Sequence, residues 1–166
     1  MNAKEFWVTV VALAAIGAVS VLVYRHVTRP PADLCRVCQR GLHPAVAYSL
    51  QMADGTRERA CCPRCGMHLQ IARPGAVNRA WATDLNTGTE ILAPKATYVE
   101  GGDVAYCTMG EPPVRRAPEG VAEREYDRCL PTLIAFRTTE EAEAYRQQQG
   151  GRVLTYEQAL QSVRMR

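Results

Sequence analysis

From Phe6 to Tyr24 the chain is largely apolar, without one charged residue, and charge returns only at Arg25. At about 1.5 Å of rise per residue, a helix over this run reaches across a hydrocarbon core of about 30 Å. The pattern predicts an uncleaved transmembrane anchor over residues 6–24, preceded by a tail at 1–5 and followed by a linker at 25–34 that contains the stiff stretch RPPAD. A cleaved signal sequence is the competing reading, although only Ala18 and Ser20, inside the run, offer a weak cleavage site. Lys4 and Glu5 nearly cancel ahead of the run while Arg25, Arg29 and Arg36 follow it. The positive-inside rule alone would then leave the remainder in the cytoplasm, but that rule is weak for a lone helix with a short tail.

Beyond the linker the periodicity shortens. AVAYSLQMADGTRERACC alternates apolar and polar residues about Asp54-Gly55, which predicts a hairpin. Pro63 suits a first helical turn, and PRCGMHLQIAR continues helically to about Arg73 before Pro74 and Gly75 stop it. Two strands flank the turn at Asn86–Gly88, and LPTLIAF at 130–136 reads as a buried strand. Thr138 with Glu141 forms a capping box for the helix EEAEAYRQQQ, which Gly150-Gly151 ends. RVLTY returns as a strand, and Thr155 with Gln158 starts a last short helix to about Val163. The expected fold class is α+β: a transmembrane helix, then a treble-clef-like knuckle, hairpin and helix unit at 35–76, then a second small ββαβ-like unit at 77–163. GEPPVRRAPEG, residues 110–120, is the other loop-like composition.

Composition adds one exclusion. With 47% hydrophobic residues in 166 the chain is globular, and a net charge of +3, scattered along it, is no electrostatic footprint for nucleic acid. No organic-cofactor motif stands out either.

The cysteines change the picture. Cys35 and Cys38 form one C-x2-C pair, Cys62 and Cys65 a second, with about 23 residues between them, close to a four-thiolate zinc spacing. Each tight turn lets two thiolates reach one ion. Disulfides or buried thiols acting as small apolar residues are the structural alternatives. Cys61 is the surplus thiol, able to replace Cys62 or to point into the core. His43, Met67 and His68 stand close by, each of them more ordinary as surface or core residues than as ligands. Soft sulfur ligands suit Cu(I) as well as Zn(II), so affinity alone does not choose the ion. Cys107 and Cys129 lie apart; they could form a disulfide across the proline-rich loop or, with Met109, a second metal site.

The runs GTEILAPKATYVEGGD and CLPTLIAFRTTEEAEAYRQQQGGRVLTYEQAL resemble the NosL family of copper-binding accessory proteins over about Cys35 to Leu160. That resemblance implies a fold similar to organomercurial lyase, metal handling by an N-terminal C-x2-C-G-M-like motif and a later methionine segment, and an extracytoplasmic domain. Cys35 and Cys38 fall at the first motif, but QRG follows them, and Cys-Gly-Met appears instead at 65–67. Cys129 stands where the family tends to carry a methionine. Many relatives are lipoproteins, whereas ADLC before Cys35 is not a lipidation box, which leaves the helix as anchor.

The expectation is a single-pass, membrane-anchored metal-binding protein with a periplasmic soluble domain, a copper chaperone or metallation accessory factor with a metal-recipient protein as partner. Its metal ligands are drawn from Cys35, Cys38, Cys61, Cys62, Cys65, Met67, Cys107 and Cys129. A structural zinc module that binds another protein is the alternative. An enzyme is not expected: Asp103 and Asp127 are ordinary carboxylates, and no acid/base partner is assembled beside the thiols.

Overall fold

The structure is a computed structural model that describes residues 2–27, 33–108, 114–116, 122–124 and 127–165. The chain divides into two units, Met1–Pro31 and Ala32–Arg166. The first is the helix α1, Ala3–Val27, whose stretch Glu5–Val27 is long and apolar enough to cross a membrane, a test that a signal sequence also passes.

The second unit starts with a knuckle. Leu34 and Gly41 bridge its base, the Cys35 amide donates to the Arg40 carbonyl at 2.8 Å, and Gln39 takes a left-handed φ of 64° to close the loop. The hairpin follows as expected, with β1 (Tyr48–Met52) antiparallel to β2 (Arg57–Ala60). Asp54 accepts hydrogen bonds from the amide and hydroxyl of Thr56, and Gly55 supplies the left-handed φ of 84°. Helix α2, Pro63–Ala72, starts at the proline. Strand β3 (Val77–Thr83) then pairs with β1, and β4 (Glu90–Leu92) with β3, giving a four-stranded sheet in the order β2-β1-β3-β4. Residues from both the 35–76 and 77–163 stretches therefore share one sheet.

Strand β5 (Thr97–Glu100) leaves that sheet and becomes the centre of a second, three-stranded one. Its partners are β8 (Leu133–Phe136) and β9 (Arg152–Leu154), both antiparallel. Helix α3 (Thr139–Gln149) connects them, so β5, β8, α3 and β9 form the ββαβ unit. Helix α4 (Tyr156–Arg164) closes the chain. The two capping boxes form as the sequence predicts, with Thr138 and Thr155 each accepting from the amide three residues on. From the proline-rich stretch, β6 (Val114–Arg116) pairs with β7 (Ala122–Arg124); the rest of 110–120 lies outside the described residues.

The core lies where α2 meets both sheets. Tyr48, Leu50, Met67, Tyr98 and Leu133 are buried in one cluster, and Cys35, Cys61, Cys62, Cys65 and Cys129 belong to it. Burying a Leu-sized side chain contributes about 1.5–3 kcal/mol, so these thiols sit inside the region that holds the fold together. Gly66 shows how closely α2 approaches: a Cβ there would stand 2.1 Å from the Tyr48 ring. The Tyr48 hydroxyl donates to Gln70 of α2 at 2.7 Å, and Gln70 donates to Tyr156 of α4 at 3.0 Å.

Candidate metal centre

Four short segments bring the thiols together. The knuckle carries Cys35 and Cys38, and the Val37 amide donates to the Cys35 sulfur at 3.4 Å, an arrangement that favours a thiolate. Cys61 follows the end of β2. Cys62 is the N-cap of α2 and Cys65 lies in its first turn, where the unpaired amides and the positive end of the helix dipole favour negative sulfur. Cys107 lies in the 3-10 turn Tyr106–Thr108, and Cys129 in the turn that leads into β8. Asp127 accepts from the Cys129 amide at 2.8 Å and from the Arg40 guanidinium at 2.9 Å, which ties the Cys129 turn to the knuckle across 87 positions of sequence.

The sulfurs lie in contact with one another. Cys38 and Cys61 are 3.4 Å apart, Cys65 and Cys129 3.6 Å, Cys61 and Cys129 3.7 Å, Cys61 and Cys62 3.8 Å, and Cys38 and Cys129 3.9 Å. A tetrahedral ion with metal–sulfur bonds of about 2.3 Å sets its ligand sulfurs about 3.8 Å apart. These separations match that edge and are far longer than a disulfide bond of about 2.0 Å. All seven cysteines are free, so Cys107 and Cys129 are not cross-linked.

Two groups emerge, each with its sulfurs within 4.8 Å of one another: Cys35, Cys38, Cys61 and Cys65, and Cys61, Cys62, Cys107 and Cys129. The spacing of the C-x2-C pairs points to Cys62 beside Cys35, Cys38 and Cys65, but the geometry puts Cys61 there. The reason is local. Chain leaving a strand in an extended conformation, as Cys62 does at φ −156° and ψ 165°, sends successive side chains to opposite sides. Cys62 faces Cys107 and Cys129 instead, beside a small cavity of about 10 Å³, on the order of one water molecule. Cys129 adjoins Cys38 and Cys65 as well, so Cys107 and Cys129 join the first cluster rather than standing apart.

The protons are unevenly shared. The Cys35 thiol is lowered to about 6: Cys38 raises it, and hydrogen bonds with Cys61 and Cys65 outweigh that rise. Cys38 is lowered to about 3, Cys129 acting upward and Cys35, Cys61 and Cys65 downward. Cys62 is held down by Cys107 and Cys129, and Cys129 by Cys107 and Cys38. Cys61 and Cys107 are pushed up, the first chiefly by Cys107 and Cys129, the second chiefly by Cys129. Cys65 is pushed up as well, again first by Cys129, whose effect outweighs the pull of the helix start. Thiols held this close share protons, and a bound cation would displace those that Cys61, Cys65 and Cys107 keep in its absence.

The softer neighbours divide. Met67 is fully buried in the core cluster. The half-buried His68 is shifted down, by burial first and by Arg64 and Arg128 next. His43 stacks edge-on against Tyr106 at 5.4 Å, and its buried Nδ1 has no hydrogen-bond partner among the described residues. Met109 lies outside the described residues.

One positioning element has no local sequence signal. Arg64, in the first turn of α2, is fully buried and pairs with Glu100 at the end of β5, and its Nε donates to the Pro131 carbonyl at 2.5 Å. Glu100 also accepts from Ser162 of α4 and from Arg152 at 2.7 Å. This network locks the start of α2, with Cys62 and Cys65, to the chain just after Cys129. A buried Arg and Glu far apart in sequence give no periodic pattern, which is why sequence reading passes over them.

No family model and no curated protein matches this sequence. The fold is similar to that of the copper chaperone NosL from Shewanella denitrificans, with a TM-score of 0.54 and 14% identity over 78% of this chain and 92% of that one. The α+β architecture is therefore NosL-like, and a cysteine cluster that could hold metal sits within it.

Proposed function

We propose that this chain is a membrane-anchored metal-binding protein that carries Cu(I) on its cysteine cluster and passes it to a recipient protein. The observation that carries this reading is the convergence of seven reduced cysteines at metal-ligand separations on a NosL-like fold. Thiolates are soft ligands that suit Cu(I) as well as Zn(II), the likeness to a copper chaperone favours Cu(I), and transfer proceeds by ligand exchange, which needs neighbouring thiols to take over the ion one bond at a time. Cys38 and Cys107, the two half-buried members, are where a recipient's ligand would first reach. Residues 6–24 hold the protein to the membrane, the linker at 25–34 spaces the soluble part from it, and that part faces the periplasm. Within the soluble part, 35–76 supplies most of the ligands and 77–163 completes the site. The chemistry ends at ligand exchange, with no bond of an organic substrate made or broken.

The full chain, purified in detergent and kept reduced without oxygen, should take up Cu(I) tightly and release it rapidly to a competing chelator. Uptake of a single, slowly exchanging zinc ion as the only tight metal would overturn copper delivery.

The near-complete burial of Cys35, Cys61, Cys62 and Cys65 favours a second reading, a structural zinc site in a protein-interaction module. Binding energy in such a site is folding energy, so Cys35→Ala should then unfold the soluble part. Retained folding with lost metal would favour the carrier.

A further inference from the structure

The two groups of sulfurs have Cys61 in common and together include every cysteine of the chain. We propose that the centre is dinuclear, with two ions held side by side and the Cys61 thiolate bridging them. This deepens the reading above and rests on it only in naming the ion.

The geometry is that of a shared corner. Cys61 lies 3.4 Å from Cys38 of one group and 3.8 Å from Cys62 and 3.7 Å from Cys129 of the other, each close to the edge of a single ion's coordination sphere, and Cys129 reaches Cys65 at 3.6 Å and Cys38 at 3.9 Å, so the two groups abut. One ion cannot use all of these sulfurs, because four-coordinate sites are the rule for zinc and lower numbers suit Cu(I). A mononuclear four-coordinate site would leave three thiols beside it without a role. Two four-coordinate ions sharing one thiolate use seven, the number present. Two three-coordinate Cu(I) ions sharing Cys61 use fewer and leave spare thiols for exchange.

Charge favours the same arrangement. A bridging thiolate binds two cations with one negative charge, so fewer buried anions are needed per ion, and unpaired buried charge is costly. Each thiol that binds gives up its proton to solvent, and no electron changes hands. Burial also fits a bridge: Cys61 is fully buried while the outer members Cys38 and Cys107 are half-exposed. The bridging sulfur lies at the centre and the ends of the cluster face outward. The small cavity of about 10 Å³ beside Cys62, Cys107 and Cys129 leaves room for an ion at the second group.

The test is anaerobic titration of Cu(I) into the reduced full chain in detergent, followed by native mass spectrometry and X-ray absorption at the copper edge. The expected result is saturation at two Cu(I) per chain with a copper–copper scattering shell. Replacing Cys62 and Cys107 together by Ser, which leaves the second group only Cys61 and Cys129, should remove one ion and the copper–copper shell and leave the other ion in place, and Cys61→Ser should abolish the shell. Saturation at one ion, at more than two, or at two without a copper–copper shell overturns the dinuclear centre and leaves copper binding intact. No tight Cu(I) at all overturns the proposed function itself. Should Cys61→Ser fail to fold, the wild-type stoichiometry and scattering still decide the matter.

Discussion

Helices α3 and α4 are each held at the start by a capping box from neighbouring residues, whereas α2, which contributes Cys62 at its cap and Cys65 in its first turn, has no side-chain cap. The two C-terminal helices follow local rules and could be placed from a few residues each. The start of α2 is held instead by distant partners: Pro131 and Glu100 through Arg64, and Tyr48 against Gly66. Where chemistry takes over the cap position, tertiary contacts supply the missing stabilisation, the pattern expected of a functional site that breaks a local rule.

The largest effect that separates the two regions concerns metal. Cys65→Ser should weaken Cu(I) binding by at least about 100-fold in competition with a chelator, since losing even a supporting group of a metal site costs 10–100-fold. Thr138→Ala on α3 should leave that affinity unchanged. Equal losses in both variants would mean that the cluster depends on global stability and not on its own ligands.

The buried ion pair comes next. Glu100→Ala removes the carboxylate that faces the buried Arg64 guanidinium and should cost about 3–5 kcal/mol in urea denaturation of the metal-free chain. Acidity gives a second handle on the same pair. Burial pushes the Glu100 carboxyl up, but Ser162, Arg152 and Arg64 more than offset this, so it is lowered in the folded protein. Its contribution is fully present above the unfolded value of about 4.3 and is lost as pH falls through the lower folded value. Glu100→Gln should flatten the acid limb of the stability profile; an unchanged limb would assign acid loss to other groups.

Gly66→Ala should cost about 1–3 kcal/mol by thermal unfolding, because its Cβ would overlap the Tyr48 ring and lift α2 from β1. The shift should lower Cu(I) affinity as well, as it moves Cys65. Smallest is Thr155→Ala, a lost cap worth about 1 kcal/mol, measurable by the same unfolding with metal uptake intact.

The hairpin at Asp54-Gly55, the proline start of α2, both capping boxes and the buried strand near 133–136 were legible because each depends on residues within a few positions of one another. The apolar run that becomes α1 was legible for the same reason. The cysteine knuckles announced a metal site through spacing, but spacing could not choose between Cys61 and Cys62. That choice depends on the direction of extended backbone at the end of β2, which neighbouring identical residues do not encode. Nor could the pattern show that β5 leaves the first sheet, or that Cys107 and Cys129 come back to it, since both follow from pairing between residues far apart in the chain. Sequence by itself determined the local elements and the kind of chemistry, because turn, cap and ligand types act over short range. Only the tertiary structure decided which thiols share a centre, because that depends on the packing of four segments brought together by β1–β3 pairing, the Arg64–Glu100 pair and the Arg40–Asp127 pair.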